Sequence, residues 1–208
     1  MLDRFLLCGV RWPLTGLARW LHRRHVGADQ VTVAGFVVGM LAVPAVAMHW
    51  YGLALLLILL NRIADGVDGI LARMAGVRDA GGFLDIVFDF IFYSAVVVGF
   101  ALADPLVNGL AAAVLIFSFV GTGSSFLAYA IMAERRQLVS VAYPHKGFYY
   151  LGGLTEGSET ILFFVVICLL PSSFVLFAWI FAGLCWLTTI TRVWGGYRTL
   201  AASDTERR

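Results

Sequence analysis

Charged residues are scarce in this chain. Asp, Glu, Lys and Arg make up 13% of its 208 residues, about half the usual share of a soluble domain, whereas hydrophobic residues reach 61%. The mean hydropathy is +0.88. This composition excludes an ordinary soluble domain and predicts an all-α integral membrane protein.

Cysteine is equally sparse, and the three present, Cys8, Cys168 and Cys185, lie far apart in or beside apolar segments. Their spacing matches neither a disulfide framework nor a metal-binding motif, so we expect them to be packing residues. The N-terminus also lacks the pattern of a cleaved signal peptide, because Asp3 and Arg4 interrupt short apolar runs.

Lys and Arg are absent from the connections around His49, Asp104 and Pro171. The opposite connections and both ends carry Arg23, Arg24, Arg73, Arg78, Arg135, Arg136, Lys146, Arg198, Arg207 and Arg208. Because basic residues stay on the cytoplasmic side, both termini are predicted to be cytoplasmic. The membrane would be the plasma (inner) membrane if the source is bacterial.

About 20 apolar residues are needed to cross a bilayer, and roughly six such stretches fit the chain. We predict spans at 31–48, 51–74, 83–102, 107–133 and 159–170, and a sixth that ends near 194. An amphipathic helix over 1–25, rich in Arg and Trp, is predicted to lie in the headgroup plane before them. The chain is expected to form one domain, 1–208, with a six-helix core at about 31–194 and a cytoplasmic tail at 195–208.

Small residues at helical spacing predict close packing between spans. Gly35 and Gly39 have this spacing on the first span, and Gly121 and Ser125 have it on the fourth. Such pairs do not decide between packing within one chain and a homodimer, so a homodimer stays open.

Four acids, Asp65, Asp68, Asp85 and Asp89, fall within 25 residues of this apolar chain. Spacings of three and four put each pair on one face of a helix. The predicted orientation places all four near the cytoplasmic face. Clustered carboxylates repel one another unless cations lie between them, and hard oxygen ligands suit Mg²⁺, Mn²⁺ or Ca²⁺. The alternative, neutralisation by Arg62, Arg73 and Arg78, leaves one acid without a partner.

The glycines near these acids, Gly66, Gly69, Gly81 and Gly82, would let a bulky group approach the backbone. Arg73, one and two turns beyond the first acid pair, would meet a phosphate oxygen. Metals flanked by an arginine are typical of phosphoryl transfer.

The pattern D-x2-D-G-x2-A-R-x7-G-x3-D-x3-D, from Asp65 to Asp89, resembles the signature of the CDP-alcohol phosphotransferase family. This sequence matches every fixed position: Asp65, Asp68, Gly69, Ala72, Arg73, Gly81, Asp85 and Asp89. Six spans after a basic interfacial helix would extend the resemblance to nearly the whole chain.

The resemblance implies a phospholipid-synthesis enzyme that transfers a substituted phosphoryl group from a CDP-alcohol to a hydroxyl and releases CMP. It implies that Asp65, Asp68 and Asp85 bind Mg²⁺ or Mn²⁺, with two ions expected. Asp89 would lie near these metals as a fourth ligand and act as the general base. The nucleotide and its phosphates would be bound by Asp68, Gly69, Ala72, Arg73 and Gly81.

The donor is expected to be CDP-diacylglycerol, and the acceptor a small polar alcohol. Candidate acceptor-pocket residues lie in the polar stretch 134–158 and beyond it: Arg135, Lys146, Glu156, Glu159 and Arg192. The basic residues would suit an acceptor carrying phosphate. The acids, with Phe148, Tyr149 and Tyr150, would suit an amino or quaternary ammonium group.

Three other functions stay open. One is an aminoalcohol phosphotransferase that joins CDP-choline or CDP-ethanolamine to diacylglycerol. More distant are a membrane prenyltransferase and a divalent-cation transporter, which would not release CMP. The expected partners are the CDP-linked lipid donor, the alcohol acceptor and membrane lipids, with a homodimer left open, and nucleic acid is not expected to bind.

Overall fold

The structure is a computed structural model that describes residues 3–136 and 154–205. Within these ranges it contains helices and connecting turns, with no strand. The helices are α1 (Asp3–Arg23), α2 (Ala28–Met40), α3 (Ala42–Ala47), α4 (Tyr51–Ala75), α5 (Asp79–Ala103), α6 (Pro105–Arg135), α7 (Gly157–Leu169) and α8 (Phe174–Thr205). A single 3₁₀ turn, Pro171–Ser173, precedes α8.

Proline and capping residues set several of these bounds. Pro44 cannot donate a backbone hydrogen bond, and its ring conflicts with the carbonyl four residues earlier, so α2 ends at Met40 and α3 follows after Leu41. Asp104 caps α6 by accepting a 3.2 Å hydrogen bond from the backbone N–H of Val107. Gly76, with φ at 97°, ends α4 in a backbone conformation that favours glycine.

Helix α4 packs against α1, α2, α3 and α7, while α5 packs against α2, α3 and α6. The core is rich in rings, among them the stacked pair Phe100 and Phe174, 4.7 Å apart. Close approach of α2 to α4 depends on Gly35, where an added Cβ would lie 2.5 Å from the Ala64 Cβ. Gly35 and Gly39 therefore serve the close helix packing that their spacing predicted, and the contacts seen here lie within the chain.

Within the described part of the chain, four segments are long and apolar enough to cross a bilayer: Ala28–Ala47, Asp79–Ala103, Pro105–Arg135 and Pro171–Ala201. The first of them is the broken helix α2–α3. The remaining two predicted spans correspond to α4, which carries Arg62, Asp65, Asp68 and Arg73, and to α7, which has only 13 residues. The structure thus supports a membrane protein with at least four spans, and the count of six stays a prediction.

The predicted N-terminal segment is helical from Asp3 to Arg23 and continues through Pro13 without a break. Its second half packs on α4, where Ala18 meets Val67 and Leu71. Trp20 is about half exposed on this half of the helix, beneath the guanidinium of Arg24. A location in the headgroup plane stays a prediction. At the other end, α8 runs to Thr205, so the predicted tail begins inside a helix.

Candidate metal and phosphate site

The two halves of the aspartate motif lie on consecutive helices. Asp65 and Asp68 are in the second half of α4, and Asp85 and Asp89 are in the first half of α5. Only residues 76–78 separate the two helices, so the acid pairs come together at one end of the fold. The site is therefore built from one short stretch of chain with α2 packed against it.

Three of the acids form a cluster with the geometry of a cation site. Asp65, Asp68 and Asp85 each offer a carboxylate oxygen, and these oxygens lie within 4.8 Å of one another. Oxygens bound to one Mg²⁺ or Ca²⁺ are separated by no more than twice the metal–oxygen distance, about 4–5 Å. The donor set, oxygen only and anionic, also suits these hard cations and Mn²⁺. The residues present therefore fit a divalent cation.

Asp68 has a partner from outside the motif. Thr32 on α2 donates a hydrogen bond of 2.6 Å to its Oδ2 atom. Asp68 is also the most buried of the three clustered acids, at 6% exposure. A buried carboxylate held in this way keeps a fixed direction toward the other two acids.

The fourth acid, Asp89, has different partners. Its Oδ1 atom accepts a 2.7 Å hydrogen bond from Arg62 Nη2, and its Oδ2 atom accepts one of 3.2 Å from the Tyr93 hydroxyl. Arg62 Nη1 lies 3.8 Å from Asp65 Oδ2, so one guanidinium lies between the clustered acids and Asp89. The structure thus brings Asp65, Asp68 and Asp85 together and pairs Asp89 with an arginine.

Two cavities open on either side of this site. The glycine-rich cavity, of about 290 Å³, is lined by 15 residues that include Gly69, Ala72, Arg73, Gly81 and Asp68. These are all the residues for which nucleotide binding was predicted. The aromatic cavity, of about 380 Å³, has a wall of rings: Phe90, Tyr93, Phe119 and Phe126.

Asp85 lines both cavities, which makes it the link between them. Asp89 lines only the aromatic cavity of the two. A molecule in one cavity and a molecule in the other would therefore meet at the acid cluster. The arrangement can bring two substrates to a shared cation site.

The predicted acceptor residues are divided by the structure. Glu156 and Arg192 line the aromatic cavity. Glu159 instead caps α7, where its Oε2 atom accepts from the Glu156 backbone N–H at 3.1 Å. Arg135 lies in the last turn of α6 and is not among the residues that line this cavity. Lys146 lies outside the described residues.

Among the predicted acceptor residues that the structure describes, Arg192 is the one that is both cationic and buried, at 8% exposure. Its Nη1 atom donates to the carbonyl of Thr122 at 3.3 Å, and its guanidinium lies 5.6 Å from the Phe126 ring centre. A positive charge is thereby fixed in the wall of the aromatic cavity.

Sequence reasoning missed three side chains that organise the site: Thr32, Asn61 and Tyr93. Asn61 follows a long apolar run, and a buried amide in such a run was a usable signal. Its Nδ2 atom donates to the Gly35 carbonyl of α2 at 3.0 Å. Thr32 and Tyr93 carry no comparable signal, because a single hydroxyl in a span is common.

Comparisons with known proteins agree with this geometry. The model of the family described as CDP-alcohol phosphatidyltransferase matches residues 25–194. The chain is 54% identical over 200 residues to the inner membrane protein YnjF of Escherichia coli, covering 96% of this chain and 97% of that protein. It is 28% identical over 144 residues to archaetidylinositol phosphate synthase of Pyrococcus horikoshii, covering 64% and 76% of the two chains.

Two solved structures share the fold, both of phosphatidylinositol phosphate synthase (PgsA1) from Mycobacterium tuberculosis. One, with CDP-DAG bound, gives a TM-score of 0.64 at 19% identity and covers 88% of this chain and 93% of the other. The second, in complex with manganese and citrate, gives a TM-score of 0.70 at 21% identity and covers 88% of each chain.

Proposed function

The chain belongs to the CDP-alcohol phosphatidyltransferase family, and on that premise we propose that it transfers a phosphatidyl group from CDP-diacylglycerol to a small polar alcohol and releases CMP. The observation that carries the proposal is the acid cluster between two cavities, with Asp85 in the wall of both. A donor in one cavity and an acceptor in the other would meet at that point.

The glycine-rich cavity would hold the nucleotide half of the donor. Gly69 and Gly81 leave the backbone open to a bulky group, and Arg73 in the same wall would pair with a phosphate oxygen. That a relative of similar fold was crystallised with CDP-DAG bound supports this type of donor.

Asp65, Asp68 and Asp85, together with Asp89 from the far side, would hold two divalent cations, Mg²⁺ or Mn²⁺. When bound, these ions would neutralise the pyrophosphate oxygens and stabilise the departing CMP. Crystals of a protein of similar fold with manganese support such a site. Thr32 would keep Asp68 directed toward the ions through its 2.6 Å hydrogen bond.

Asp89 would act as the general base. It lines the aromatic cavity, where the acceptor hydroxyl would enter. Its carboxylate would take the hydroxyl proton as the acceptor oxygen bonds to the phosphatidyl phosphorus, and the bond from that phosphorus to the CMP oxygen would break. The products are CMP and a phospholipid.

An acceptor that carries phosphate is favoured over one that carries an ammonium group. Arg192 fixes a positive charge in the wall of the aromatic cavity. Glu156 and Glu159, the acids that would attract an ammonium group, form the capping box of α7. Two relatives named for inositol phosphate lipid synthesis also support a phosphorylated acceptor.

The membrane arrangement that accompanies this proposal has six spans, with α4 and α7 as the two that length and composition leave open. Both termini and the acid cluster would lie on the cytoplasmic side, because the connections near His49, Asp104 and Pro171 carry no Lys or Arg. All of residues 1–208 would form one domain.

The test is direct. Purified protein is incubated with CDP-diacylglycerol, Mg²⁺ and separate candidate alcohols (glycerol phosphate, inositol phosphate, inositol and serine), and CMP and new lipids are measured by mass spectrometry. We expect CMP release together with one phosphorylated product, and neither with Asp85→Ala. A second arm offers CDP-choline with diacylglycerol. Product in that arm alone would replace the proposal with an aminoalcohol phosphotransferase, and no CMP in any arm would refute it.

A further inference from the structure

Arg62 lies between the clustered acids and Asp89. It belongs to α4, one turn before Asp65, and its Nη2 atom donates to Asp89 Oδ1 at 2.7 Å. Its Nη1 atom donates to the Tyr93 hydroxyl at 3.0 Å, and that hydroxyl donates to Asp89 Oδ2 at 3.2 Å. Both oxygens of Asp89 are therefore held by donors, one from α4 and one from α5.

Arg62 is itself held on several sides. Its Nε and Nη2 atoms donate to Asn61 Oδ1 at 2.8 and 2.6 Å, and its guanidinium carbon lies 5.3 Å from the ring centres of Phe92 and Tyr93. Asn61 in turn donates to the Gly35 carbonyl of α2. The side chain is only 16% exposed. A lysine has no planar fork and would not reproduce this arrangement.

Charge balance alone would need one contact between Arg62 and an acid. The additional contacts to Asn61 and Tyr93 fix the direction of the guanidinium, and with it the direction of the Asp89 carboxylate. Asp89 and Tyr93 both line the aromatic cavity, so the direction of the Asp89 carboxylate decides how it faces a molecule bound in that cavity.

We propose that Arg62 is a positioning residue, which together with Tyr93 directs the Asp89 carboxylate toward the acceptor in the aromatic cavity. The proposal rests on the proposed function, because it assumes that Asp89 acts on the acceptor hydroxyl. It has a second consequence. A positive charge 3.8 Å from Asp65 opposes a divalent cation beside that acid, so Arg62 weakens metal binding while it speeds turnover.

The experiment compares the wild type with Arg62→Met, which keeps an unbranched apolar stem and removes the charge and the donors. We expect kcat to fall at least about 30-fold, because a misdirected base loses part of the roughly 10²–10⁴-fold acceleration that general-base catalysis contributes. The KM for CDP-diacylglycerol should change less than about threefold, while Mn²⁺, followed by electron paramagnetic resonance, should bind at least about threefold more tightly. General damage to the site would instead lower kcat and weaken Mn²⁺ binding together.

Two further variants separate charge from geometry. Arg62→Lys restores the charge without the fork, so Mn²⁺ affinity should return to the wild-type value while kcat stays about tenfold low. In Arg62→Ala, added guanidinium at sub-denaturing concentration should recover part of kcat, which a purely structural defect would not allow. Arg198→Met is the matched control, because Arg198 stacks on Trp194 at the exposed end of α8. In this variant neither kcat nor Mn²⁺ affinity should change.

Turnover of Arg62→Met within threefold of the wild type would overturn the proposal, as would weaker Mn²⁺ binding in a folded variant. If the wild type releases no CMP, the proposed function fails on its own, and Mn²⁺ affinity still decides whether Arg62 opposes cation binding. If Arg62→Met does not fold, Arg62→Lys carries the test, and wild-type kcat in that variant would overturn the positioning role.

Discussion

Thr32 of α2 donates a 2.6 Å hydrogen bond to Oδ2 of Asp68 in α4. The contact joins residues 36 positions apart and ties a helix outside the aspartate motif to the acid cluster. Partners of this kind orient metal ligands, and losing one typically costs about 10–100-fold in metal affinity or activity. The motif therefore depends on the way α2 packs against α4.

Replacing Thr32 with Val removes this hydrogen bond and keeps the shape of the side chain. Asp68 would lose its fixed direction, and we expect Mg²⁺-dependent turnover to fall about tenfold. CMP release as a function of Mg²⁺ concentration measures the effect. Thr191→Val is the control, because the Thr191 hydroxyl donates to carbonyls of its own helix on the exposed face of α8. Equal Mg²⁺ curves for wild type and Thr32→Val would contradict the role of Thr32.

Replacing Asp89 with Asn tests the general base. The amide has nearly the same shape but cannot accept the acceptor proton, so turnover should fall by about 10²–10⁴-fold. Binding of CMP, measured by calorimetry, should stay close to the wild-type value, because Asp89 lies outside the glycine-rich cavity. Asp104→Asn, at the helix cap near the start of α6, should leave both quantities unchanged. Near-normal turnover of Asp89→Asn would refute the assignment.

Removing the metal should stop the reaction. We expect EDTA to abolish CMP release and excess Mg²⁺ to restore it. Asp65→Ala, which lacks one carboxylate of the cluster, should need at least about tenfold more Mg²⁺ for half-maximal activity. Asp79→Ala provides the comparison, since Asp79 lies at the exposed start of α5 and outside the cluster. An Asp65→Ala titration that coincides with the wild type would remove Asp65 from the metal site.

The contact between α2 and α4 can be tested through stability. In Gly35→Ala the new Cβ would lie 2.5 Å from the Ala64 Cβ, so the helices must move apart. We expect a loss of about 1–3 kcal/mol in the free energy of unfolding, measured by thermal denaturation in detergent. Gly109→Ala is the matched control, because nothing lies within 4 Å of an added Cβ there. A Gly35→Ala protein as stable as the wild type would mean that α2 and α4 do not pack this closely.

Much of the fold could be predicted from the sequence, because hydrophobic runs and their breaks follow directly from the cost of backbone and charge in lipid. The helical class and the pairing of Gly35 and Gly39 with a neighbouring helix were predicted in this way. The break at Leu41 was not, although Pro44 was visible, since the effect of a proline depends on the helix around it. Helix α4 shows the limit of composition: a span was predicted at 51–74, but its charged residues keep it out of the segments that are apolar enough to cross a bilayer.

The convergence of Asp65, Asp68 and Asp85 could be predicted from helical spacing, and the structure brings them together. The pairing of Asp89 with Arg62 could not be predicted from the sequence. Arg62 was expected only as one of several arginines that neutralise acids, and its pairing with Asp89 depends on how α4 and α5 are rotated against each other. Spacing within one helix gives no information about that rotation. The same reason explains why Thr32 and Tyr93 were missed.

Mn²⁺ titration of the purified protein, followed by electron paramagnetic resonance, tests the central claim most directly. We expect saturable binding to the wild type and a loss of affinity of more than about tenfold in Asp85→Ala, where the acid that links both cavities is removed. Mn²⁺ binding of the same strength in both proteins, or no saturable binding to the folded wild type, would contradict it.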